Sequence, residues 1–231
     1  YSARDVTIQR CSIEESAITG HPEGRHNYGL ISGPRGENVS IHHNLFAHHA
    51  RRCPAIANGP ADVRNNVIYN FRDGLSHEGH KPNDRGFNVI GNYYKRGPSD
   101  PKIFPFCFRG DVSYYLRDNL IEGVGIIQDP WAEADKLPGL KYYARHGRKA
   151  VNEFPVAKVT THSPEMAYQL VLQQAGCLPR DAVTRRIVRE VQTGTGAWGR
   201  SETEQLTQES LPQQPPQDSD QDGMPDDWEA A

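Results

Sequence analysis

Residues 38–46 read NVSIHHNLF, and four other stretches of the chain repeat the pattern of this one. In each stretch an apolar residue lies three positions before an Asn or a Cys, and an aromatic or β-branched residue lies two positions after it. The other stretches are DVTIQRCSI (5–13), ADVRNNVIY (61–69), FNVIGNYY (87–94) and SYYLRDNLI (113–121). The marked positions are Cys11, Asn44, Asn66, Asn92 and Asn119. Their spacing of 22 to 33 residues indicates an internal repeat.

A unit of this length cannot bury an apolar face alone, so the repeats predict units that stack on one another. Short runs of strand-forming residues separated by turns favour a parallel β-solenoid over residues 1–160. Asn suits such a fold in two ways. It tolerates the left-handed backbone conformation of a sharp turn, and its amide can hydrogen-bond to the coils above and below. A set of ordinary hairpins with Asn turns is the alternative.

Helical patterns replace the strand patterns after about residue 160. In residues 161–199 we predict two helices that pack on the solenoid. Ser163 caps the first helix, with Pro164 at its first position and Gly176 at its end. Asp181 caps the second helix, which ends at Gly194. Residues 200–217 are polar and rich in Pro and Gln, which predicts a linker that cannot bury a core.

The tail segment DSDQDGMPDDWE (218–229) matches the calcium-loop pattern D-x-D-x-D-G-x5-E. Calcium takes about six to eight hard oxygen ligands, and this spacing wraps carboxylates around one ion. We therefore predict an EF-hand-like calcium loop over residues 218–231, with a disordered acidic tail as the alternative. The predicted ligands are Asp218, Asp220, Asp222, Asp226 and Glu229.

The composition argues against two broad classes of protein. The formal net charge is −3, whereas a general nucleic-acid binder carries a basic balance. No apolar run approaches the roughly 18 residues of a membrane span. The chain starts without Met and without a signal-peptide pattern, which suggests a processed or truncated chain. The four Cys residues lack metal-ligand spacing, and both disulfides and buried free thiols stay open.

Four histidines and two arginines crowd the segment VSIHHNLFAHHARRCP (39–54). A metal site, a nucleic-acid patch and a site for an acidic carbohydrate are all compatible with it. Successive side chains on a strand point to opposite faces, so His42 and His43 are expected not to share a site. Eight of the ten His residues lie between His21 and His80, so histidines of neighbouring coils can still cluster. A structural zinc or nickel site therefore stays open.

NVSIHHNLFAHHARRCPAI (38–56) followed by ADVRNNVIYNF (61–71) resembles the bacterial pectate lyases of the right-handed β-helix type. That family shows a His-His-Asn strand followed by an Arg-x-Pro segment. The resemblance extends upstream through VTIQRCSIEES and GHPEGRHNYGLI and downstream through GHKPNDRGFNVIGNYYKRGP, the helices and the tail. It implies an all-β fold, a right-handed parallel β-helix, whose first coils would precede Tyr1.

The resemblance also implies β-elimination on polygalacturonate, an acidic plant cell-wall polysaccharide, with Arg as base and calcium as carboxylate clamp. The Arg of the Arg-x-Pro segment is Arg52, which becomes the implied catalytic residue. A calcium site on the β-helix is implied at Glu14 and Glu15. A secreted, periplasmic or cell-surface monomer is expected. The implied substrate-binding residues are Arg51, His26, His43 and Lys81.

Two other functions stay open at this point. A β-helix glycoside hydrolase needs paired carboxylates, and the hydrolase motifs of β-helix enzymes do not occur together in this sequence. A non-catalytic β-helix could bind acidic glycans through Arg51, Arg52, Arg64 and the histidines. Ala55, Ile56 and Ala57 fill the stretch in which the family pattern has a second Arg, which keeps this alternative open.

Overall fold

The computed structural model describes residues 2–77, 86–143, 146–199, 217, 219, 220 and 226. The strands are β1 (Arg4–Gln9), β2 (Ser12–Glu14), β3 (Ile31–Ser32), β4 (Glu37–His42), β5 (Leu45–Ala47), β6 (Ala55–Ile56), β7 (Ala61–Arg64), β8 (Val67–Tyr69), β9 (Asp73–His77), β10 (Phe87–Ile90), β11 (Tyr93–Lys95), β12 (Phe104–Cys107), β13 (Ser113–Arg117), β14 (Asn119–Ile121), β15 (Gly125–Ile127) and β16 (Arg148–Lys149). The helices are α1 (Pro138–Tyr143), α2 (Pro164–Gln174) and α3 (Ala182–Thr193).

The strands stack into three sheets that share one axis. Sheet 1 has the order β1-β4-β7-β10-β13-β16, sheet 2 the order β2-β5-β8-β11-β14-β15, and sheet 3 the order β3-β6-β9-β12. Every strand pair is parallel except β14 with β15. Each coil therefore contributes one strand to each sheet in turn. The predicted right-handed parallel β-helix is confirmed, and the hairpin alternative is wrong.

The apolar positions of the sequence repeat coincide with the register of the sheets. In sheet 1 the residue three before each marker pairs with its counterpart in the next coil: Ile8, Ile41, Val63, Val89 and Leu116. In sheet 2 the residue two after each marker does the same: Ile13, Phe46, Ile68, Tyr94 and Ile121. Both columns lie in the main apolar core, where burial of aromatic and aliphatic side chains stabilises the stack.

The marked Asn residues form a continuous ladder of amides at the turn from sheet 1 to sheet 2, here called the ladder corner (10–11, 43–44, 65–66, 91–92 and 118–119). Oδ1 of Asn66 accepts both the backbone N–H and the side-chain Nδ2 of Asn44, each at 3.0 Å. Asn92 accepts the same pair from Asn66, and Asn119 from Asn92. Cys11 donates its backbone N–H to Asn44 at 2.9 Å. The amides are fully buried, so each bond satisfies a group that water cannot reach.

The left-handed backbone conformation falls one residue before each marker. Its φ values lie between 52° and 62°, at Arg10, His43, Asn65, Gly91 and Asp118. The expected ladder is thus confirmed, whereas the expectation that the marker Asn itself takes the left-handed conformation is wrong. Two different residues are needed, because the marker must point its amide along the stack while the residue before it reverses the chain.

Helices α2 and α3 pack on the outer face of sheet 2. The caps are as predicted: Ser163 and Asp181 accept backbone N–H groups, Pro164 begins α2, and Gly194 ends α3 with φ 73°. The helix predictions are therefore confirmed, except that α2 ends with its cap at Ala175, one residue before Gly176. The second apolar cluster joins Leu45, Ala47, Val67 and Tyr69 of sheet 2 to Val171, Leu172, Ala175, Ile187, Val188 and Val191 of the helices.

The predicted division of the chain into four parts, 1–160, 161–199, 200–217 and 218–231, stays a prediction. Residues 200–216 lie outside the described part of the structure. The four cysteines are free thiols; Cys53 is buried, whereas Cys11 and Cys177 are exposed. Among the described helices, none is long and apolar enough to cross a membrane.

Candidate functional site

His42 and His43 lie at the ladder corner and contact each other. Their Nδ1 atoms are 2.9 Å apart, and Nε2 of His43 lies 3.0 Å from Nδ1 of His162. The expectation that strand alternation separates the pair is wrong, because His43 adopts the left-handed turn conformation and leaves the strand. Burial, with the neighbouring imidazoles, lowers the pKa of His43 to about 4. His43 is buried against other histidines, and its predicted substrate contact stays a prediction.

His48 and His49 lie where the chain leaves sheet 2, and both are buried. His48 Nε2 is 2.9 Å from a carboxylate oxygen of Glu190 in α3. His49 Nε2 is 2.9 Å from the carbonyl oxygen of Ile13, and its Nδ1 is 2.9 Å from the hydroxyl of Ser16. Since a carbonyl only accepts, His49 carries its proton on Nε2. Both rings therefore join the coil to its neighbours.

The two arginines that follow these histidines are the accessible part of the segment. They belong to the arginine corner, defined as the segments that lead from sheet 2 to sheet 3 (15–30, 48–54, 70–72 and 96–103). Arg51 is exposed, and its Nε lies 3.1 Å from Asp73 in the next coil. Arg52 is half-buried, and its guanidinium lies 4.5 Å from the centre of the Tyr28 ring. In these two contacts Arg51 meets Asp73, whereas Arg52 meets Tyr28.

Tyr28 also connects Arg52 to the predicted substrate residue His26. The His26 ring lies 4.6 Å from Tyr28 and 3.6 Å from the His21 ring, centre to centre. A column of rings therefore leads from Arg52 towards the surface loop 18–27. The structure thus brings Arg51, Arg52 and His26 into one region, and their roles stay predictions. Lys81 lies outside the described residues, in the segment that follows β9 along the chain.

The backbone of Arg51 and Arg52 is fixed by the preceding coil. Gly29 and Leu30 donate their N–H groups to the carbonyl oxygens of Arg51 and Arg52 at 3.0 and 2.9 Å. A Cβ at Gly29 would lie 2.5 Å from the carbonyl oxygen of Arg52, so the approach requires glycine. Asn27 accepts the N–H of Ala50 and donates to Ser16, which ties the two segments together.

Glu14 and Glu15 have partners other than a metal ion. Thr184 donates to Glu14 at 2.9 Å, and Arg186 donates to both carboxylate oxygens of Glu15 at 3.0 and 2.7 Å. Burial raises the pKa of Glu14, which is unfavourable for a calcium ligand. These contacts argue against the implied calcium site at Glu14 and Glu15.

Two of the five predicted tail ligands, Asp220 and Asp226, are described. Ser219 donates its N–H and its hydroxyl to the two carboxylate oxygens of Asp226, each at 2.7 Å. Asp226 in turn donates its N–H to the carbonyl oxygen of Gln217 at 2.8 Å. The predicted loop is therefore closed between its first residues and its ninth position. Asp218, Asp222 and Glu229 lie outside the described residues.

Sequence reasoning missed the groups that hold the arginines. Tyr28, Asn27 and Asp73 lie in parts of the sequence without a repeat motif, and their contacts arise only when coils stack. One signal was available, since GRHNYG (24–29) combines His26, a polar Asn and an aromatic residue just before a glycine.

The fold and the arginine corner define a parallel β-helix with a cationic edge beside sheet 3. Such an edge can bind carboxylates and stabilise developing negative charge.

Over 98% of its length the chain is 31% identical to the protein named "Probable pectate lyase C" of Aspergillus flavus. It is 29% identical to the protein of the same name in Aspergillus terreus over 99% of its length, and 31% identical to that in Aspergillus oryzae over 98%. The chain spans 53% of the length of each of these relatives, about half. No protein-family model matches the chain. These relatives are fungal, whereas the sequence resemblance pointed to bacterial enzymes.

Proposed function

We propose that this chain is part of a pectate-lyase-like polysaccharide lyase, which cleaves polygalacturonate by β-elimination with Arg52 as base. The observation that carries the proposal is the similarity to proteins named "Probable pectate lyase C" over nearly the whole chain, combined with the arginine corner. A cell-wall polymer cannot enter a cell, so this function implies a protein that acts outside the cytoplasm. We propose that it acts as a monomer.

The reaction needs a base and a positive environment. The base removes the proton on C5 of a uronate, which is acidified by the adjacent carboxylate. The electron pair forms the C4–C5 double bond, the bond from C4 to the glycosidic oxygen breaks, and that oxygen takes a proton from solvent. Negative charge develops on the uronate, so cations that face it lower the barrier. Calcium, where bound to that carboxylate, would supply further positive charge.

The position of Arg52 two residues before Pro54, which matches the Arg-x-Pro segment of the family, favours Arg52 over Arg51 as the base. The guanidinium of Arg52 stacks on Tyr28, and its carbonyl oxygen accepts the N–H of Leu30. Arg51 lies 3.1 Å from a carboxylate oxygen of Asp73. We assign Arg51 to substrate binding, with His26 beside it.

A row of cations along the arginine corner suits a polyuronate. Arg51 and Arg52 precede β6, Arg72 precedes β9, and Arg96 and Lys102 precede β12. Successive coils are about 4.8 Å apart, so the row runs along the helix axis. A polyuronate carries one carboxylate on each sugar, and a chain bound along this row would meet a cation from each coil. Whether Lys81 adds to the row stays a prediction.

The test is an ultraviolet absorbance assay of the protein on polygalacturonate, with calcium and with a chelator, alongside a reducing-end assay. We expect both signals to rise together with calcium, because elimination creates an unsaturated end and a reducing end at each cut. Reducing ends without absorbance would establish a hydrolase. Neither signal, with retained binding of oligogalacturonate, would establish the non-catalytic alternative.

We further propose that the tail binds calcium through Asp218, Asp220, Asp222, Asp226 and Glu229. The hydrogen bonds from Ser219 lower the pKa of Asp226, so this carboxylate is available as an anionic ligand near neutral pH. Calorimetry of the chain with and without residues 218–231 tests this proposal. Calcium heat in the full chain that disappears on deletion supports it, and no heat in either leaves the acidic-tail alternative.

A further inference from the structure

We infer that His21, Glu23 and His26 form a binding site for an imidazole-preferring divalent cation of the zinc class. These residues lie in the loop 18–27 between β2 and β3, within six positions of one another. One ligand atom of each lies within 4.8 Å of the others. The inference does not depend on the proposed reaction.

The hydrogen bond at Nδ1 of His26 leaves Nε2 of the same ring available as a metal ligand. Its Nδ1 lies 3.2 Å from the carbonyl oxygen of Gly24. Since a carbonyl only accepts, Nδ1 carries the proton and Nε2 has the lone pair. This pattern, with one ring nitrogen donating to a backbone carbonyl, orients metal-binding histidines in general.

The carboxylate of Glu23 faces that same atom. Its Oε2 lies 3.7 Å from Nε2 of His26. Two ligands about 2.0–2.1 Å from a tetrahedral zinc ion lie about 3.3 Å apart. A shift of a few tenths of an ångström therefore brings both groups to ligand distance. Glu23 is largely exposed, so its side chain is able to move.

His21 completes the set when its ring rotates out of the stack on His26, which also breaks one hydrogen bond. Its ring stacks on His26 at 3.6 Å, and its Nδ1 accepts the backbone N–H of Glu23 at 3.2 Å. Metal binding through the His21 ring breaks this hydrogen bond from Glu23 or changes its geometry. The loop already forms a turn between the two histidines, because Gly24 donates its N–H to the carbonyl oxygen of His21 at 3.0 Å.

In a second group in the described part of the chain, Glu15, His48 and Glu190, one ligand atom of each also lies within 4.8 Å of the others, but the guanidinium of an arginine already neutralises the carboxylates. There the guanidinium of Arg186 donates to Glu15 and Glu190, and Nε2 of His48 lies 2.9 Å from a carboxylate oxygen of Glu190. That group is buried beneath α3 and already holds a cation. The loop group is open to solvent instead.

The donor set decides the class of ion. Two imidazoles and one carboxylate suit zinc, nickel or copper, whereas calcium prefers an all-oxygen set. Three protein ligands leave a fourth position open, as in zinc sites that bind an external ligand. The His26 ring contacts Tyr28, so a carboxylate taken at that position would approach the region of Arg52.

The experiment titrates the full chain with zinc by calorimetry, and with cobalt by visible absorbance, in excess calcium that saturates the acidic tail. We expect one saturable site per chain and a cobalt spectrum of a tetrahedral site with nitrogen ligands. His26→Gln and Glu23→Gln should each weaken zinc binding at least tenfold. His146→Gln, an exposed histidine outside the loop, is the matched control and should leave affinity unchanged.

Other outcomes overturn the inference. These are no saturable binding, binding that excess calcium abolishes, and binding that survives both loop substitutions. Affinity should fall as the pH drops, because protons compete for the imidazoles. Equal thermal unfolding of the variants without metal would show that the loss is local. A variant with lowered stability is replaced by His21→Gln, which removes the most exposed ring of the set.

Discussion

The two corners that flank sheet 2 solve the same problem, reversal of the chain, in different ways. At the ladder corner every coil uses two residues, and the marker amide bonds the coil above and the coil below. At the arginine corner the connections differ in length, from three residues at 70–72 to sixteen at 15–30. The four marker Asn side chains of the first corner are fully buried, whereas the second corner carries Arg51 in solvent.

The difference assigns the ladder corner to stability and the arginine corner to binding. The hydrogen-bonding groups of a repeated corner find their partners in the same corner of the neighbouring coils, so its residues stabilise the stack. A corner of variable length must be held by particular contacts, such as Asn27 with Ser16, and it can present side chains outward. Loops that a rigid scaffold positions are where binding and catalytic groups concentrate. We therefore expect substitutions at the arginine corner to change activity and those at the ladder corner to change stability.

The largest effect is expected for Arg52→Lys. The change keeps a positive charge but loses the planar guanidinium that stacks on Tyr28. If Arg52 is the base, turnover on polygalacturonate should fall by about 1,000-fold, equivalent to about 4 kcal/mol. Binding of oligogalacturonate and thermal unfolding should change little. Steady-state kinetics and calorimetry on the active full-length protein measure both.

Arg51→Lys is the matched control for this prediction. It should mainly raise KM, because the interaction is made equally in the ground state and the transition state. If Arg51→Lys abolishes turnover and Arg52→Lys does not, the two roles are reversed. If neither change matters in an active enzyme, the base lies elsewhere.

At the ladder corner, Asn66→Ala should lower the free energy of unfolding by about 3 kcal/mol. The substitution leaves the N–H and amide of Asn44 without their acceptor and removes a donor to Asn92 and Ile41, all in a buried environment. Urea unfolding measures the change. The exposed Asn152→Ala should have no effect, and an equal loss in both variants would contradict the ladder's contribution.

Gly29→Ala tests how the arginine corner is held. The added methyl group would overlap the carbonyl oxygen of Arg52, so the two coils must separate locally. We expect a tenfold or smaller loss of turnover with a stability loss of about 1–3 kcal/mol. Gly20→Ala is the control, because its Cβ meets open space and any loss comes from its φ of 93° alone. Unchanged turnover in Gly29→Ala would show that activity does not depend on this contact.

The last effect is one of pH, and it compares one histidine from each corner. Burial lowers the pKa of His43 and of His49 to about 4, from 6.5 in the unfolded chain. Between these values the unfolded chain binds more protons than the native protein. Stability should therefore fall as the pH drops from 6.5 to 4 and show no further loss from these groups below pH 4.

His49→Gln isolates one of these contributions. It removes the titrating group, so the slope of unfolding free energy against pH should flatten, by on the order of 3 kcal/mol across the window. Denaturant unfolding at several pH values measures this. A slope that His49→Gln does not alter would contradict the burial effect.

The sequence predicts the repeated part of the molecule well and the arginine corner poorly. The spacing of Asn44, Asn66 and Asn92 predicts stacked coils, because a buried amide at each turn has one geometry that satisfies it. Helix caps such as Ser163 are predictable because the signal is local. The partners of Arg52 are not, since Tyr28 reaches it only after a long loop folds back. Strand alternation predicts His42 and His43 on opposite faces, but the alternation ends at His43, in a turn that the sequence does not mark.

The antiparallel strand β15 has a consequence for how copies of the protein meet. It pairs with β14 in the reverse direction and forms the last strand of sheet 2 at this end. A parallel coil of another molecule cannot continue the stack in register across a reversed strand. Gly125, with φ 111°, and the short length of β15 leave little regular backbone to pair with. The reversal thus acts against fibre growth, the aggregation hazard of any exposed sheet edge.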